Sequence, residues 1–423
     1  MLEVYDMSHY VIQGGKCLEG ELHIEGSKNA VLPIIAATIL SGNETYLYNC
    51  PKILDVDIMT EILMQLGCKI SRNNKTLMID TSTISSSDIS EELVRKMRSS
   101  IILLGAIIGR FRKAKISYPG GCPLGARPID LHLAAFKKMG INITEEHGFI
   151  ICESNNLQGA RIHLDFPSVG ATENIMLAAT LASGDTIINN AAREPEIVDL
   201  QNYLNSCGAK ILGAGTNTIY IQGVKTLHAT EYKVIPDRII AGTYLTAAAI
   251  TRGKIHLKNI VPDHIRSICA KLEEIGCTIK DAEDEVILTA PKKLNGTYIT
   301  TEPYPGFPTD MQSQMMALLC TCKDTSIIKE KLFEARFKPA YELVRMGADI
   351  SINGPIAVIK PSPVLTGAHI YAEDLRGGAA LVLAALYAQG TTIVDNIFHI
   401  KRGYENIVLD LKQLGAEIEE KES

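Results

Sequence analysis

The sequence predicts an α/β protein of two domains, each built from three β-α-β-α-β-β units, and three observations predict it. Six segments close on Gly-x-x-Ile: Gly67-Cys-Lys-Ile70, Gly140-Ile-Asn-Ile143, Gly208-Ala-Lys-Ile211, Gly276-Cys-Thr-Ile279, Gly347-Ala-Asp-Ile350 and Gly415-Ala-Glu-Ile418. These glycines stand 68 to 73 residues apart, so six repeats fill the 423-residue chain. Each repeat also holds one helical stretch that is apolar almost all round, a pattern only burial on most faces can satisfy. A strand-like piece follows each of those stretches.

Taken in order, the elements follow from these signals. A glycine just past a helix supplies the left-handed cap, and the residues after it begin a strand. The amphipathic helix is clearest in the fourth repeat, where Ile265, Ile268, Leu272 and Ile275 share one stripe with charges opposite. Apolar helices are expected over 30–40, 99–108, 171–182, 239–250, 315–319 and 379–387. Strands are expected over 45–48, 115–118, 186–188, 254–257, 325–328 and 391–394. A period near 70 residues exceeds that of common solenoids, and the terminal repeats carry no polar capping face. Two domains of three units, apolar helices inside and sheets outside, satisfy the burial pattern instead. The first domain is expected over 27–235, and the second over 1–26 with 236–423.

Composition removes several function classes. The balance of 42 basic against 48 acidic residues, net −6, argues against general nucleic-acid binding. Aromatics are 5% with no Trp, which leaves little for a stacking platform. The ten cysteines are scattered, and the first ten residues carry acidic side chains and no apolar core. The cytoplasm, with thiols reduced, is therefore the expected compartment. No run approaches the roughly 18 apolar residues of a membrane span. The P-loop, dinucleotide-binding, zinc-protease and nucleophile-elbow motifs are all missing. Cys320 and Cys322 read as buried small hydrophobes, and His132 and His399 as surface or hydrogen-bonding side chains without partners at metal spacing.

Three stretches break the repeat. Pro119-Gly-Gly-Cys-Pro-Leu-Gly-Ala-Arg-Pro128 packs three glycines and three prolines into ten residues. Cys122 at its centre reads either as a chance loop cysteine or as a thiol activated by Arg127 and Arg98. Gly26-Ser-Lys-Asn-Ala30 opens the first apolar helix, where Lys28 and Asn29 fit either an anion site or a solvated Lys beside an Asn cap. Phe307-Pro-Thr-Asp-Met311 and Asp374-Leu-Arg-Gly377 each enter an apolar helix, so Asp310 and Asp374 are also plain N-cap candidates.

These residues together resemble the UDP-N-acetylglucosamine 1-carboxyvinyltransferase family of enolpyruvyl transferases. The resemblance runs from Gly26-Ser-Lys-Asn-Ala-Val-Leu-Pro33 to Lys401-Arg-Gly-Tyr-Glu405. Between them lie Met97-Arg-Ser-Ser100, Gly120-Gly-Cys122, Gly125-Ala-Arg-Pro-Ile-Asp-Leu131, Ser168-Val-Gly-Ala-Thr172, Ala191-Ala-Arg-Glu-Pro-Glu196, Phe307-Pro-Thr-Asp310 and Asp374-Leu-Arg376. It implies the inside-out α/β barrel, with two domains of three β-α-β-α-β-β units. It implies transfer of the enolpyruvyl group of phosphoenolpyruvate to the 3-hydroxyl of UDP-N-acetylglucosamine, which opens peptidoglycan precursor synthesis. No metal or organic cofactor, nucleic acid or membrane partner is implied.

Residue by residue, the resemblance implies that Cys122 protonates the methylene carbon of phosphoenolpyruvate. Lys28, Arg127 and Arg402 would hold that substrate's phosphate and carboxylate. Asn29, Arg98, Arg127, Pro128, Ile129, Asp130, Leu131, Ser168, Val169, Asp310 and Leu332 would line the nucleotide-sugar site. Asp310 would be the base for the attacking hydroxyl, Asp374 a second acid or base, and Arg376 a support for the anion pocket. Departures are Ala335 where the family usually has Asn, Lys338-Pro339 in place of Met-His, and Phe166-Pro167 in place of a basic residue. A shikimate-directed enolpyruvyl transferase shares the fold, but Cys122 and the 127–131 segment argue against it. A nucleotide-sugar sensor without chemistry is the other rival, and the joint presence of Cys122, Asp310, Asp374, Lys28 and Arg402 argues against that.

Overall fold

The computed structural model describes residues 8–118, 129–362 and 364–422, and it divides into two compact units. One unit contains residues 26–118 and 129–235. The other contains 8–25 and 236–422. The chain passes from one to the other between Glu25 and Gly26 and returns between Ile235 and Pro236.

Each unit carries three sheets among its described residues, and five of the six share one four-stranded design. In the third repeat, Arg161–His163 leads by a buried helix, Val169–Thr180, to the parallel strand Asp185–Asn189. The amphipathic helix Pro195–Ser206 then leads to the hairpin Lys210–Leu212 and Thr218–Gln222, which pairs antiparallel with Asp185–Asn189. The fifth repeat repeats this order around Tyr298–Thr300, Ser326–Lys329, Asp349–Asn353 and Ile356–Lys360.

Of the five sheets with four strands among the described residues, three draw a strand from a distant part of the chain. Glu231–Lys233 at the end of one unit runs parallel to its Glu44–Tyr48. In the other unit, Glu19–His23 leads the fourth sheet beside Lys254–Lys258. His9–Gln13 completes the sixth sheet between Thr391–Asp395 and Glu417–Lys421. In the second repeat only a parallel bridge, Asp88 to Lys115, stands where the other sheets have a leading strand.

The apolar helices occupy the cores. Lys28–Ser41, Leu103–Phe111 and Val169–Thr180 pack together in one unit, and Arg238–Ile250, Gln312–Leu319 and Leu375–Tyr387 in the other. Burying such helices also buries threonine hydroxyls, which stay satisfied by bonding back one turn. Thr180 donates to the Met176 carbonyl, Thr243 to Ile239, Thr246 to Gly242 and Thr251 to Ala247, each at 2.8 Å. Close packing sets residue size. A Cβ on Gly105 would stand 2.4 Å from the Asn174 carbonyl oxygen, so the second helix meets the third only through glycine.

All six repeat glycines take the left-handed conformation, with φ from 78° at Gly140 to 116° at Gly276. A second signal of the same kind was not read from the sequence. Asn49, Asn190 and Asn259 each leave the strand that follows a buried helix with φ between 54° and 60°. Their amides donate to the Val234, Leu164 and Ile24 carbonyls at 3.0, 2.8 and 2.6 Å, tying each strand's end to the neighbouring segment.

Three expected helices differ clearly at their starts, and the one expected over 379–387 begins four residues earlier, at Leu375. Residues 99–108 divide into a 3₁₀ turn, Arg98–Ile102, and the helix Leu103–Phe111. The helix expected over 315–319 begins three residues earlier at Gln312, behind a 3₁₀ turn over Thr309–Met311. Cys320 and Cys322 lie at and beyond that helix's end, buried, and burial pushes both thiols up to about 12. No described helix is long and apolar enough to cross a membrane.

Candidate active site

Most of the expected site residues that the structure describes fall at the starts of the buried helices. In the 26–235 unit, Lys28 and Asn29 are the first two residues of Lys28–Ser41, Arg98 opens the 3₁₀ turn, and Ser168 and Val169 begin the third helix. All five are half-buried. Ser168 is a true cap, its hydroxyl accepting from the Ala171 amide at 3.3 Å. Asn29 is not: Ser27 holds the cap position and makes no side-chain cap bond. A lysine at a helix N-terminus opposes the dipole, and here a fixed anion offsets it. The Lys28 ammonium lies 2.6 Å from the carboxylate of Asp55, which is 1% exposed. Ile129 is buried, Leu131 half-buried and Asp130 exposed at the start of Asp130–Lys138. Cys122, Arg127 and Pro128 lie outside the described residues.

Behind Arg98 sits a fully specified polar knot. Asn174 Oδ1 accepts from the Gly105 amide at 2.7 Å, and Nδ2 donates to the Ile101 carbonyl at 3.0 Å and to His132 Nδ1 at 2.8 Å. His132 Nδ1 must therefore be an acceptor, which places the proton of the neutral ring on Nε2. Burial, with the Arg98 charge adding, pulls this imidazole down to about 4.

In the other unit the structure joins residues the sequence kept apart. Asp310 is not a helix cap, because Pro308 takes the cap position of its 3₁₀ turn. One carboxylate oxygen accepts from Arg336 Nη2 at 2.8 Å, and the other from Arg376 Nε and Nη2 at 3.2 and 3.0 Å. Arg336 and Arg376 are 1% and 4% exposed, so two buried guanidiniums clamp a half-buried carboxylate. Burial works against the Arg376 charge, yet Asp310, with Tyr404 and Asp237 adding, raises that guanidinium above its ordinary value. Among the described residues, Arg336 Nε and Arg376 Nη1 meet no acceptor at hydrogen-bond distance, although the Tyr404 hydroxyl lies beside the Arg376 guanidinium. Such buried donors suit an incoming anion.

Asp374 is the cap the sequence suggested, its Oδ1 accepting from the Arg376 and Gly377 amides at 2.9 and 2.8 Å. Arg402 follows the short helix Phe398–Lys401, and its charge adds to burial in lowering His399. Leu332 is half-buried, its amide bonded to Glu330. Among the departures, Phe166 is exposed and Pro339 opens the helix Pro339–Arg345. No three metal-ligating side chains converge among the described residues.

Sequence reasoning missed Arg336, Glu330, Asp55 and a further buried carboxylate, Asp199. Asp199 accepts from the Tyr232 hydroxyl at 2.6 Å and the Ile235 amide at 3.3 Å, and burial pushes it up to about 6. Its folded value lies above the unfolded one, so the folded state holds more protons between about pH 4 and 6 and loses stability as pH rises through that window. Asp199→Asn removes this penalty. Relative to wild type, the variant's melting temperature is expected to be least favourable near pH 4.5 and to improve toward pH 7.5. Melts across that range that run parallel to wild type would remove Asp199 from the titration.

The family described as EPSP synthase (3-phosphoshikimate 1-carboxyvinyltransferase) matches residues 12–422, nearly the whole chain. The chain belongs to this carboxyvinyltransferase family. Within it, the chain is 53% identical over 413 residues to UDP-N-acetylglucosamine 1-carboxyvinyltransferase 2 of Caldanaerobacter subterraneus subsp. tengcongensis, covering 97% of this chain and 99% of the relative. It is 51% identical over 414 residues to the protein of that name from Clostridium tetani, with the same coverage. Among solved carboxyvinyltransferase-fold structures, the enolpyruvyl transferase NikO of Streptomyces tendae superposes with a TM-score of 0.89 at 25% identity, over 98% of this chain and 99% of that one. EPSP synthase of Acinetobacter baumannii follows the same fold with a TM-score of 0.75 at 17% identity, over 98% and 99%.

Proposed function

We propose that this carboxyvinyltransferase moves the enolpyruvyl group of phosphoenolpyruvate to the 3-hydroxyl of UDP-N-acetylglucosamine and releases phosphate. This is the first committed step of peptidoglycan precursor synthesis. The observation that carries the substrate choice is 53% identity over nearly the full chain to a relative bearing that activity's name. The cytoplasm is the compartment that fits this chemistry.

Addition forms the bond from the sugar oxygen to C2 of phosphoenolpyruvate. A proton reaches C3 from the Cys122 thiol while the hydroxyl proton passes to Asp310. Elimination then expels phosphate, which leaves with the proton held by Asp310, while the Cys122 thiolate recovers a proton from C3 and the double bond is restored. Lys28, Arg127 and Arg402 are assigned to the phosphate and carboxylate, and Arg376 to support of the bound anion. Asn29, Arg98, the 127–131 segment, Ser168, Val169, Asp310 and Leu332 receive the nucleotide sugar. Asp374 stands as the second acid or base, and its Oδ1 is engaged by the helix cap.

Phosphate release is the deciding assay. Purified protein with phosphoenolpyruvate and UDP-N-acetylglucosamine is expected to liberate one phosphate per enolpyruvyl product. Release with shikimate 3-phosphate instead of the nucleotide sugar would return the chain to the shikimate-directed reading.

A further inference from the structure

Glu330 is a carboxylate only 4% exposed, just past the strand Ser326–Lys329, and it accepts four hydrogen bonds from three segments. Oε1 takes the Thr301 hydroxyl at 2.7 Å and the Leu332 and Phe333 amides at 2.8 and 3.2 Å. Oε2 takes the Thr309 hydroxyl at 2.9 Å. All four donors are neutral. A buried carboxylate compensated this way gains little net stability, since its desolvation offsets most of what the bonds return.

The placement of those donors is what distinguishes it. Thr309 precedes Asp310 in the 3₁₀ turn Thr309–Met311. Leu332 and Phe333 begin the turn that ends at Arg336, whose amide bonds the Phe333 carbonyl at 3.3 Å. One side chain thus holds both segments that deliver the Asp310–Arg336 pair, one through the Thr309 hydroxyl and the other through two backbone amides. Thr301 anchors the knot from a third side, and its hydroxyl also accepts from the Lys331 amide at 3.0 Å.

We infer that Glu330 is a positioning residue, fixing the Asp310 carboxylate against Arg336 in the geometry that proton transfer requires. This rests on Asp310 being the proton acceptor of the reaction proposed above. Displacement of a reacting group by about 1 Å costs about 10²-fold in rate.

The test compares two near-isosteric cuts in the same knot. Thr309→Val removes the bond to the Asp310 turn, whereas Thr301→Val removes the anchor on the far side. Thr309→Val is expected to lower kcat by about ten- to a hundredfold, leave KM for UDP-N-acetylglucosamine within about twofold, and shift the acidic limb of the kcat–pH profile. Thr301→Val is expected to lower the melting temperature comparably while keeping kcat within about twofold of wild type and the profile in place. Glu330→Gln keeps an acceptor at Oε1, and the Thr309 hydroxyl can turn to accept from the new amide. It is expected to retain most activity, where Glu330→Ala does not. Wild-type kcat and pH profile in Thr309→Val would overturn the inference alone. A wild-type protein that releases no phosphate from the two substrates overturns the functional reading, and this inference with it.

Discussion

Cys122→Ala is expected to lose roughly 10²- to 10⁴-fold in kcat, the usual worth of a positioned general acid. The described cysteines strengthen the choice of this thiol. Burial pushes Cys50, Cys68, Cys152, Cys269, Cys277, Cys320 and Cys322 up to about 12 and raises Cys207, so none of these offers a proton or a thiolate readily near neutral pH. Cys17 is exposed but belongs to none of the segments that break the repeat. Cys122 has glycines and prolines on both sides and Arg127 five residues on. Cys122→Asp is expected to keep substantial activity, because a carboxylic acid can deliver the same proton to C3. A small epoxide phosphonate, which carries an electrophile beside a phosphate-like group, should alkylate the same thiol. Peptide mass mapping decides between the cysteines. An adduct on Cys17 or on a buried thiol, together with full turnover in Cys122→Ala, would remove Cys122 from the chemistry.

The architecture was legible because it repeats. A glycine at φ near 100° recurs once per unit, and helices apolar on all faces can only lie inside, so both signals survive reading one residue at a time. The buried helices themselves were legible for the same reason, although three of their starts lay elsewhere, and most of the expected site residues sit at those starts. Pairings were not legible. Asp310 and Asp374 look alike in sequence, each one to three residues ahead of an apolar helix. Only Asp374 caps, because Arg336 and Arg376 draw the Asp310 carboxylate elsewhere. Arg336 lies 26 residues from Asp310, and a lone arginine in Phe333-Glu-Ala-Arg336 carries no periodic signal of burial. Asp55, Asp199 and Glu330 were hidden likewise. Each is a single charge whose burial depends on donors the fold brings from other segments.

Asp310→Asn is the second large effect, and the structure changes what it should do to stability. Had Asp310 been a helix cap, asparagine would have kept most of the capping and melted near wild type, since even the loss of a cap costs only about 1 kcal/mol. The carboxylate instead stands between two guanidiniums that are almost wholly buried. Asparagine keeps one acceptor oxygen and brings two donors, so one guanidinium faces an N–H where it had an anion. Breaking a buried pair by removing one partner costs roughly 3 kcal/mol or more, because the remaining charge is left uncompensated. The variant should therefore melt clearly below wild type. It should also lose several orders of magnitude in turnover, since an amide cannot take the sugar hydroxyl's proton. The two losses separate by an added anion. If the unpaired guanidiniums cause the instability, phosphate should raise the variant's melting temperature more than the wild type's, while turnover stays absent. A variant that melts with wild type would mean the clamp contributes little to stability. A variant that turns over at the wild-type rate would leave Asp310 as a tether for Arg336 and Arg376 and move the base elsewhere, with Asp374 next in line.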